Sequence, residues 1–453
     1  MARFRLYRAY LRDFMGRFRV FNVFLGVAVL GAAVFTVAPG LQRPLAQLAP
    51  PTSPGAVQQA EVVPSAGGSV SQSRPAAQVA LSGVVGSSPP QASQFGPQVS
   101  SYLRSAGNKL INGSNSEVRL TGVNWFGLET DTFAPHGLWA RNWGEMMDQM
   151  VQAGFNSIRL PYSNQLFDPS SRPKGIDFIK NADLEGLSGL QIMDKIIEGA
   201  GQRGMKIILD RHRPTADAQS ELWYTDRMSE QRWTSDWVML AKRYKGNPTV
   251  IGADLHNEPR GKATWGDDNL STDWRLAAER AGNAILGANP DWLIIVEGVE
   301  QHQQHYYWWG GNLMWAKEFP VRLSHPDKLV YSAHEYGPGV FQQDWFRAPD
   351  FPNNLPKLWN DRWAYVQKEG IAPLLMGEFG GRSVGQDTEG VWQRTLMQFL
   401  KESNISYTYW SWNPNSGDTG GVLKDDWITL DRAKVDMLAG YEWPMLDKAQ
   451  PKG

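Results

Sequence analysis

From Val118 to Trp410, eight short apolar segments recur, several rich in β-branched residues and each running into polar or aromatic side chains. They are Val118–Trp125, Ser157–Leu160, Lys206–Asp210, Val250–Leu255, Leu293–Val296, Leu329–Ala333, Leu374–Met376 and Tyr407–Trp410. Fully buried parallel strands read this way. Amphipathic stretches lie between most of them, at Trp143–Ala153, Leu190–Arg203, Trp233–Tyr244, Trp274–Ala288, Trp359–Glu369 and Val391–Glu402. Val299–Asp327 is the exception, rich in Trp and without helical period. Parallel strands need a covering crossover, so the alternation predicts an α/β fold, a (β/α)8 TIM barrel. The span exceeds the ~250 residues of a minimal barrel, so the loops after the strands must be enlarged. A doubly wound open sheet is the alternative. It usually opens with a Gly-rich phosphate turn, and Gly122-Val123-Asn124-Trp125-Phe126-Gly127 has no such pattern.

In a barrel the chemistry sits just past the carboxyl ends of the strands. Those ends read Trp125, Arg159, His212, Asn257-Glu258, Glu297, His334 with Tyr336, Glu378 and Trp410. The fourth is the most telling. Thr249-Val250-Ile251-Gly252 leads into Ala-Asp-Leu-His-Asn-Glu-Pro over 253–259, and Pro259 stops the strand because it cannot donate to a ladder. Singly, each residue has an ordinary reading: an ion pair for Arg159, core imidazoles for His212 and His334, packing for Tyr336, a polar turn for Asn257-Glu258-Pro259. Their repetition in step with the strands favours one shared site. Two carboxylates facing one cleft suit glycosidic bond cleavage, which needs a protonated acid and an ionised carboxylate. On this reading Arg159 and Tyr336 stabilise an ionised Glu378. Glu258 is the acid, its pKa raised by the charge of Glu378 and by burial.

Ile158-Arg159-Leu160-Pro161, Asp210-Arg211-His212, His256-Asn257-Glu258-Pro259, His334-Glu335-Tyr336, Gly377-Glu378-Phe379-Gly380 and Trp410-Ser411-Trp412 occur in that order. Together they resemble glycoside hydrolase family 5, most of all its bacterial endo-β-1,4-glucanase branch, over about Leu103 to Trp443. The resemblance implies a retaining endoglucanase acting on internal β-1,4 bonds of cellulose or related β-glucans, without cofactor or metal. It implies Glu258 as acid/base, Glu378 as nucleophile and Asn257 at the sugar 2-hydroxyl. Arg159, His212, His334 and Tyr336 become the polar shell, with Trp410 and, by analogy, Trp309 as sugar platforms. Trp125 joins them as a substrate-binding aromatic. A β-mannanase or another β-glucanase on the same scaffold is the alternative, because fold does not fix substrate. A membrane-tethered glucan-binding protein without activity is a third reading, opposed by the retention of both Glu258 and Glu378. No cellulose-binding module precedes Gly453, so crystalline cellulose is not the expected substrate.

Two further motifs weigh less. His302 and His305 invite a metal but have no carboxylate at ligand spacing. Ser416-Gly417-Asp418-Thr419-Gly420-Gly421 has no Lys or Arg before Lys424, so it reads as a cleft rim and not a phosphate site.

Composition sets the surroundings. There is no cysteine, which excludes disulfides, thiolate metal sites and a Cys nucleophile. The net charge is −1, yet residues 1–19 carry six Arg and one Asp, leaving −6 on the remainder. A mildly acidic folded part argues against nucleic acid as a partner. The basic segment 1–19 precedes a nineteen-residue apolar run, 20–38, close to the ~20 that span a bilayer. This order predicts a signal anchor, with a cleaved signal peptide as the alternative, and export of the downstream chain. Residues 39–102 are rich in Pro, Ala, Ser and Gln and predict a linker, leaving 103–447 as the catalytic domain. The twenty Trp suggest a surface that binds something flat and amphipathic. The protein is expected to be a monomer acting on a β-glucan polysaccharide.

Overall fold

A computed structural model describes residues 102–447. The segments 1–19 and 20–38 lie outside the described residues, as does the linker up to residue 101. Among the described residues no helix is long and apolar enough to cross a membrane.

Eight parallel strands close into a barrel. They are β1 (Thr121–Asn124), β2 (Ser157–Ser163), β3 (Lys206–Arg213), β4 (Val250–Asp254), β5 (Leu293–Glu297), β6 (Leu329–His334), β7 (Leu374–Glu378) and β8 (Ser406–Tyr409). Each pairs with the next, and β8 returns to β1 with Tyr407 opposite Thr121. This closure excludes the open doubly wound sheet. Helices α1 (Trp143–Gln152), α2 (Gly189–Gln202), α3 (Glu230–Arg243), α4 (Trp274–Ala288), α5 (Thr388–Glu402) and α6 (Arg432–Ala439) are separated from β1 to β4, β7 and β8 by long loops. After β6 the helical stretch is broken: Leu355–Trp359, a π turn over Asn360–Ala364, then Tyr365–Lys368. As expected from its missing period, the crossover from β5 to β6 contains no α-helix, only a small hairpin of Gln301–His302 and His305–Tyr306 and a short turn.

The helix starts differ from the apolar pattern because side-chain caps decide them. Ser229 and Asp387 accept backbone N–H bonds from Arg232 and Gly390. Helices α3 and α5 therefore begin three residues before the first large apolar side chain. The single strand expected over Val118–Trp125 is two. Glu117–Val118 belongs to a three-stranded antiparallel sheet with Arg104–Ala106 and Lys109–Ile111, and only Thr121–Asn124 enters the barrel. An apolar run cannot register a change of pairing partner. That small sheet closes the amino end of the barrel. Leu103, Leu110, Val118 and Leu120 pack with Ile208, Ile251, Leu293, Ile295, Val330 and Leu375.

Most of the tryptophan serves the core. Eleven of the indoles, among them Trp223, Trp233, Trp237 and Trp274, are fully buried. Several reach in from the helices to strand-end carbonyls. Trp233 and Trp237 of α3 both donate Nε1–H to Leu255 O, at 2.9 and 3.1 Å, and Trp274 of α4 donates to Glu297 O at 2.9 Å. These bonds hold the two chain turns that carry Glu258 and Glu297.

Candidate active site

Arg159 of β2 is the hub of the barrel mouth and is fully buried. Its Nη1 donates to Glu378 Oε1 at 2.6 Å and to Asn124 Oδ1 at 3.0 Å. Nε donates to Asp254 Oδ2 at 2.8 Å, and Nη2 to Asn257 Oδ1 at 2.9 Å and Glu297 Oε1 at 3.1 Å. Asp210 Oδ2 lies 3.1 Å from Nη1. One guanidinium thus faces four carboxylates, from β3, β4, β5 and β7, and its rigid fork suits this better than an ammonium would. Asp210 and Asp254 are the partners that the sequence reading omitted. The signal was present, since both belong to strand-end segments singled out there.

The two candidate carboxylates converge. An oxygen of Glu258 and an oxygen of Glu378 lie within 4.8 Å of each other, with His334 within the same distance of both. Tyr336 OH donates to Glu378 Oε2 at 2.7 Å, so each oxygen of Glu378 accepts a hydrogen bond. Glu258 sits just past β4 at φ 52°, a left-handed conformation that costs a non-glycine residue about 1–2 kcal/mol. Its N–H donates to Glu297 Oε2 at 2.8 Å, which holds the turn. The neighbouring Gly310 has φ 66°, and a Cβ there would fall 2.3 Å from Glu297 Oε2 and 3.3 Å from Glu258 Cα. No other residue fits that approach. Asn257 Oδ1 is taken by Arg159, leaving its buried Nδ2 without a partner among the described residues.

His334 Nδ1 lies 3.2 Å from Glu258 Oε1 and 3.6 Å from Glu378 Oε2, and Nε2 lies 3.3 Å from Glu297 Oε1. Burial opposes a charge on this imidazole, but Glu297, Glu378 and Glu258 outweigh it and hold its pKa well above the ordinary value. Burial pushes Glu297 up to about 8 and Asp210 and Asp254 up to about 6. Glu258 departs from expectation. Burial alone raises it, yet the hydrogen bond and charge of His334, with Arg260 and His212, hold it below the ordinary carboxylate range. Burial and the charge of Glu378 alone would raise it, and the imidazole in contact reverses the shift. His212 is held down to about 3, first by burial. Its Nδ1 meets Asp210 Oδ2 at 2.7 Å and its ring stacks on Trp410, centroids 5.3 Å apart at 10°.

The aromatic surroundings need one correction. Trp125 is 0% exposed and its Nε1–H goes to His136 O at 3.0 Å, so it offers no face to a ligand. Trp410 and Trp309 are half-buried. From Trp410 a run of ring contacts leads outward through Phe126 (5.3 Å) and His136 (5.2 Å) to Trp139 (5.3 Å), which is 39% exposed. Trp139 was missed because it lies deep in the loop after β1, away from any strand end. His302 and His305 pack on Trp315, at 3.7 and 5.6 Å. Two groups at the mouth, Asp210–His212–Glu378 and Glu258–His334–Glu378, have metal-ligand spacing. Their atoms already engage one another and Arg159. Paired carboxylates, one doubly hydrogen-bonded and one beside an imidazole, can supply a nucleophile and a proton donor to one bond.

A family model described as Cellulase (glycosyl hydrolase family 5) matches residues 112–416. An endoglucanase of Paenibacillus polymyxa is 58% identical over 356 residues, 78% of this chain and 90% of the relative. The major extracellular endoglucanase of Xanthomonas campestris pv. campestris is 43% identical over 344 residues, covering 75% and 70% of the two chains. Among solved structures, a hyperthermophilic endocellulase from the archaeon Pyrococcus horikoshii has a TM-score of 0.72 at 43% identity, covering 76% of this chain and 98% of that one. The catalytic domain of the Xanthomonas enzyme has a TM-score of 0.71 at 43% identity, covering 74% and 98%.

Proposed function

The chain belongs to glycosyl hydrolase family 5 and is an endoglucanase, and we propose that Glu378 is its nucleophile and Glu258 its acid/base. The approach of their carboxylate oxygens to within 4.8 Å supports a retaining pair, and the bonds from Arg159 and Tyr336 to the two oxygens of Glu378, against the His334 contact of Glu258, support the division of roles. Retaining pairs stand about 5–5.5 Å apart, whereas inverting pairs need about 6.5–9.5 Å to admit a water. In the first step Glu378 attacks the anomeric carbon, the glycosidic C–O bond breaks, and Glu258 protonates the leaving oxygen. In the second step Glu258 takes a proton from water, the water oxygen attacks, and the ester to Glu378 breaks. As the acid, Glu258 must carry a proton, and His334 Nδ1, 3.2 Å from its Oε1, is the group placed to exchange one. Asn257 Nδ2, buried and unpartnered, is the donor assigned to the sugar 2-hydroxyl. Trp410 is the platform at the cleavage point, with Trp139 further along the glycone side and Trp309 beside Glu258 on the leaving-group side. Pyranose C–H faces stack on such indoles.

The substrate is an internal β-1,4-glucan bond. Carboxymethylcellulose should lose viscosity quickly while few reducing ends appear, and galactomannan should be cut far more slowly. Faster attack on galactomannan would replace this reading with that of a mannanase. The expected state is a monomer, and a dimer by light scattering would contradict it. Export is supported by the Arg-rich segment 1–19 before the apolar run 20–38, and the protein stays anchored if that run is retained. Cell fractionation with amino-terminal sequencing decides it. A soluble exported form starting near residues 39–50 would sink the anchor, and a cytoplasmic protein would sink both.

A further inference from the structure

We propose that Arg260 is a positioning residue, which holds Trp309 as a leaving-group-side platform and ties it to the turn that carries Glu258. The inference rests on the proposed roles of Glu258 and Trp309 and goes beyond them. Trp309 lies in the crossover that has no α-helix. Its indole is held from the loop after β4. The Arg260 guanidinium lies over the indole, 4.2 Å from the ring centroid. Its Nη1 donates to Glu258 O at 3.0 Å, and its backbone N–H donates to Glu221 O at 3.2 Å. The planar group is therefore aimed by the acid/base residue's own carbonyl, while its face supports the indole.

Glu300 completes the clamp. Its Oε1 accepts from Trp309 Nε1 at 3.1 Å and its Oε2 from the Gly261 N–H at 2.9 Å. Its own N–H donates to Pro259 O at 3.0 Å. The indole is gripped at one face by Arg260 and at its edge by Glu300, both joined to residues 258–261. Trp309 is only half-buried, and its opposite face is the one assigned to a sugar. Because Gly310 abuts Glu258 Cα, that sugar falls beside the residue that protonates the leaving group. Arg260 therefore sets the register between the platform and the proton donor.

The test is a double-mutant cycle with Arg260→Met, Trp309→Ala and the pair together. Each is measured on cellopentaose and on β-cellobiosyl fluoride, whose leaving group is too small to reach the indole. Arg260→Met should lower kcat/KM on cellopentaose about fivefold to tenfold more than on the fluoride, mainly through KM, the size expected for one cation–π support. Both substrates are read on the same preparation, so loss of folded protein cancels. In the ratio of the two substrates the double variant should be no worse than Trp309→Ala alone, since Arg260 acts on the platform through the indole while its charge on Glu258 touches both substrates alike. Equal losses of Arg260→Met on the two substrates, or fully additive losses in that ratio for the pair, would overturn the proposal. If Trp309→Ala itself fails to discriminate between the substrates, the platform reading fails. If it discriminates and Arg260→Met does not, only the role of Arg260 fails.

Discussion

Arg159 was legible as a partner of Glu378, but not as a cation shared by four buried carboxylates. Strand-end position marks which residues face the mouth. It does not say which of them touch, and contact reverses the sign of the Glu258 shift. The same limit explains Trp125. A tryptophan one residue past a strand end can turn inward as easily as into the cleft, and here the His136 carbonyl takes its N–H. Trp125→Phe should therefore lower the melting temperature while changing kcat/KM for short and long cello-oligosaccharides by the same factor. Trp139→Ala should leave the melting temperature nearly unchanged and weaken long substrates about tenfold more than short ones, a typical value of one stacked ring. Kinetics on cellotriose and cellohexaose separate the two. A chain-length effect in Trp125→Phe, with none in Trp139→Ala, would reverse the assignment.

At the scale of elements, the barrel was readable because all eight strands are buried and therefore apolar. The antiparallel sheet over 104–118 was not, because its strands are two or three residues long and carry no period. Nor was the work of α3 and α4, whose indoles look like ordinary core until they meet Leu255 O and Glu297 O. The rim of catalytic residues and the floor formed by the small sheet lie at opposite ends of the barrel, which separates stability from activity. Leu110→Ala opens a cavity in the floor and should cost about 2–5 kcal/mol of stability. It should leave kcat on carboxymethylcellulose within about twofold, since that cavity lies at the end remote from the reacting groups. Thermal unfolding and initial rates check this. A large fall in kcat for the folded variant would mean that the floor positions the mouth.

For the molecule as a whole, burying so many carboxylates at one mouth ties stability to pH. Glu129, in the loop after β1, is raised from 4.5 to about 7 by burial, against Arg213 and the Gly127 N–H. The folded state then binds the extra proton, so this contribution is complete below pH 4.5 and is lost as pH rises through about 7. Asp210, Asp254 and Glu335 shift in the same direction. Buried His136, His212 and His256 shift downward and oppose this trend below pH 6.5, so the melting temperature should fall from pH 6.5 to pH 8. Glu129→Gln keeps an acceptor for Gly127 and should flatten that slope, and an unchanged slope would refute the linkage. The central claim remains the pairing of Glu378 with Glu258 in double displacement. A 2-deoxy-2-fluoro-β-cellobiosyl fluoride slows release of the glycosyl-enzyme, and peptide mass spectrometry locates the ester. The account predicts one fluorocellobiosyl group, on Glu378, retained in Glu258→Gln because fluoride leaves without a proton. An ester on Glu258 or Glu297, or no ester together with an initial product of inverted configuration by proton NMR, would contradict it.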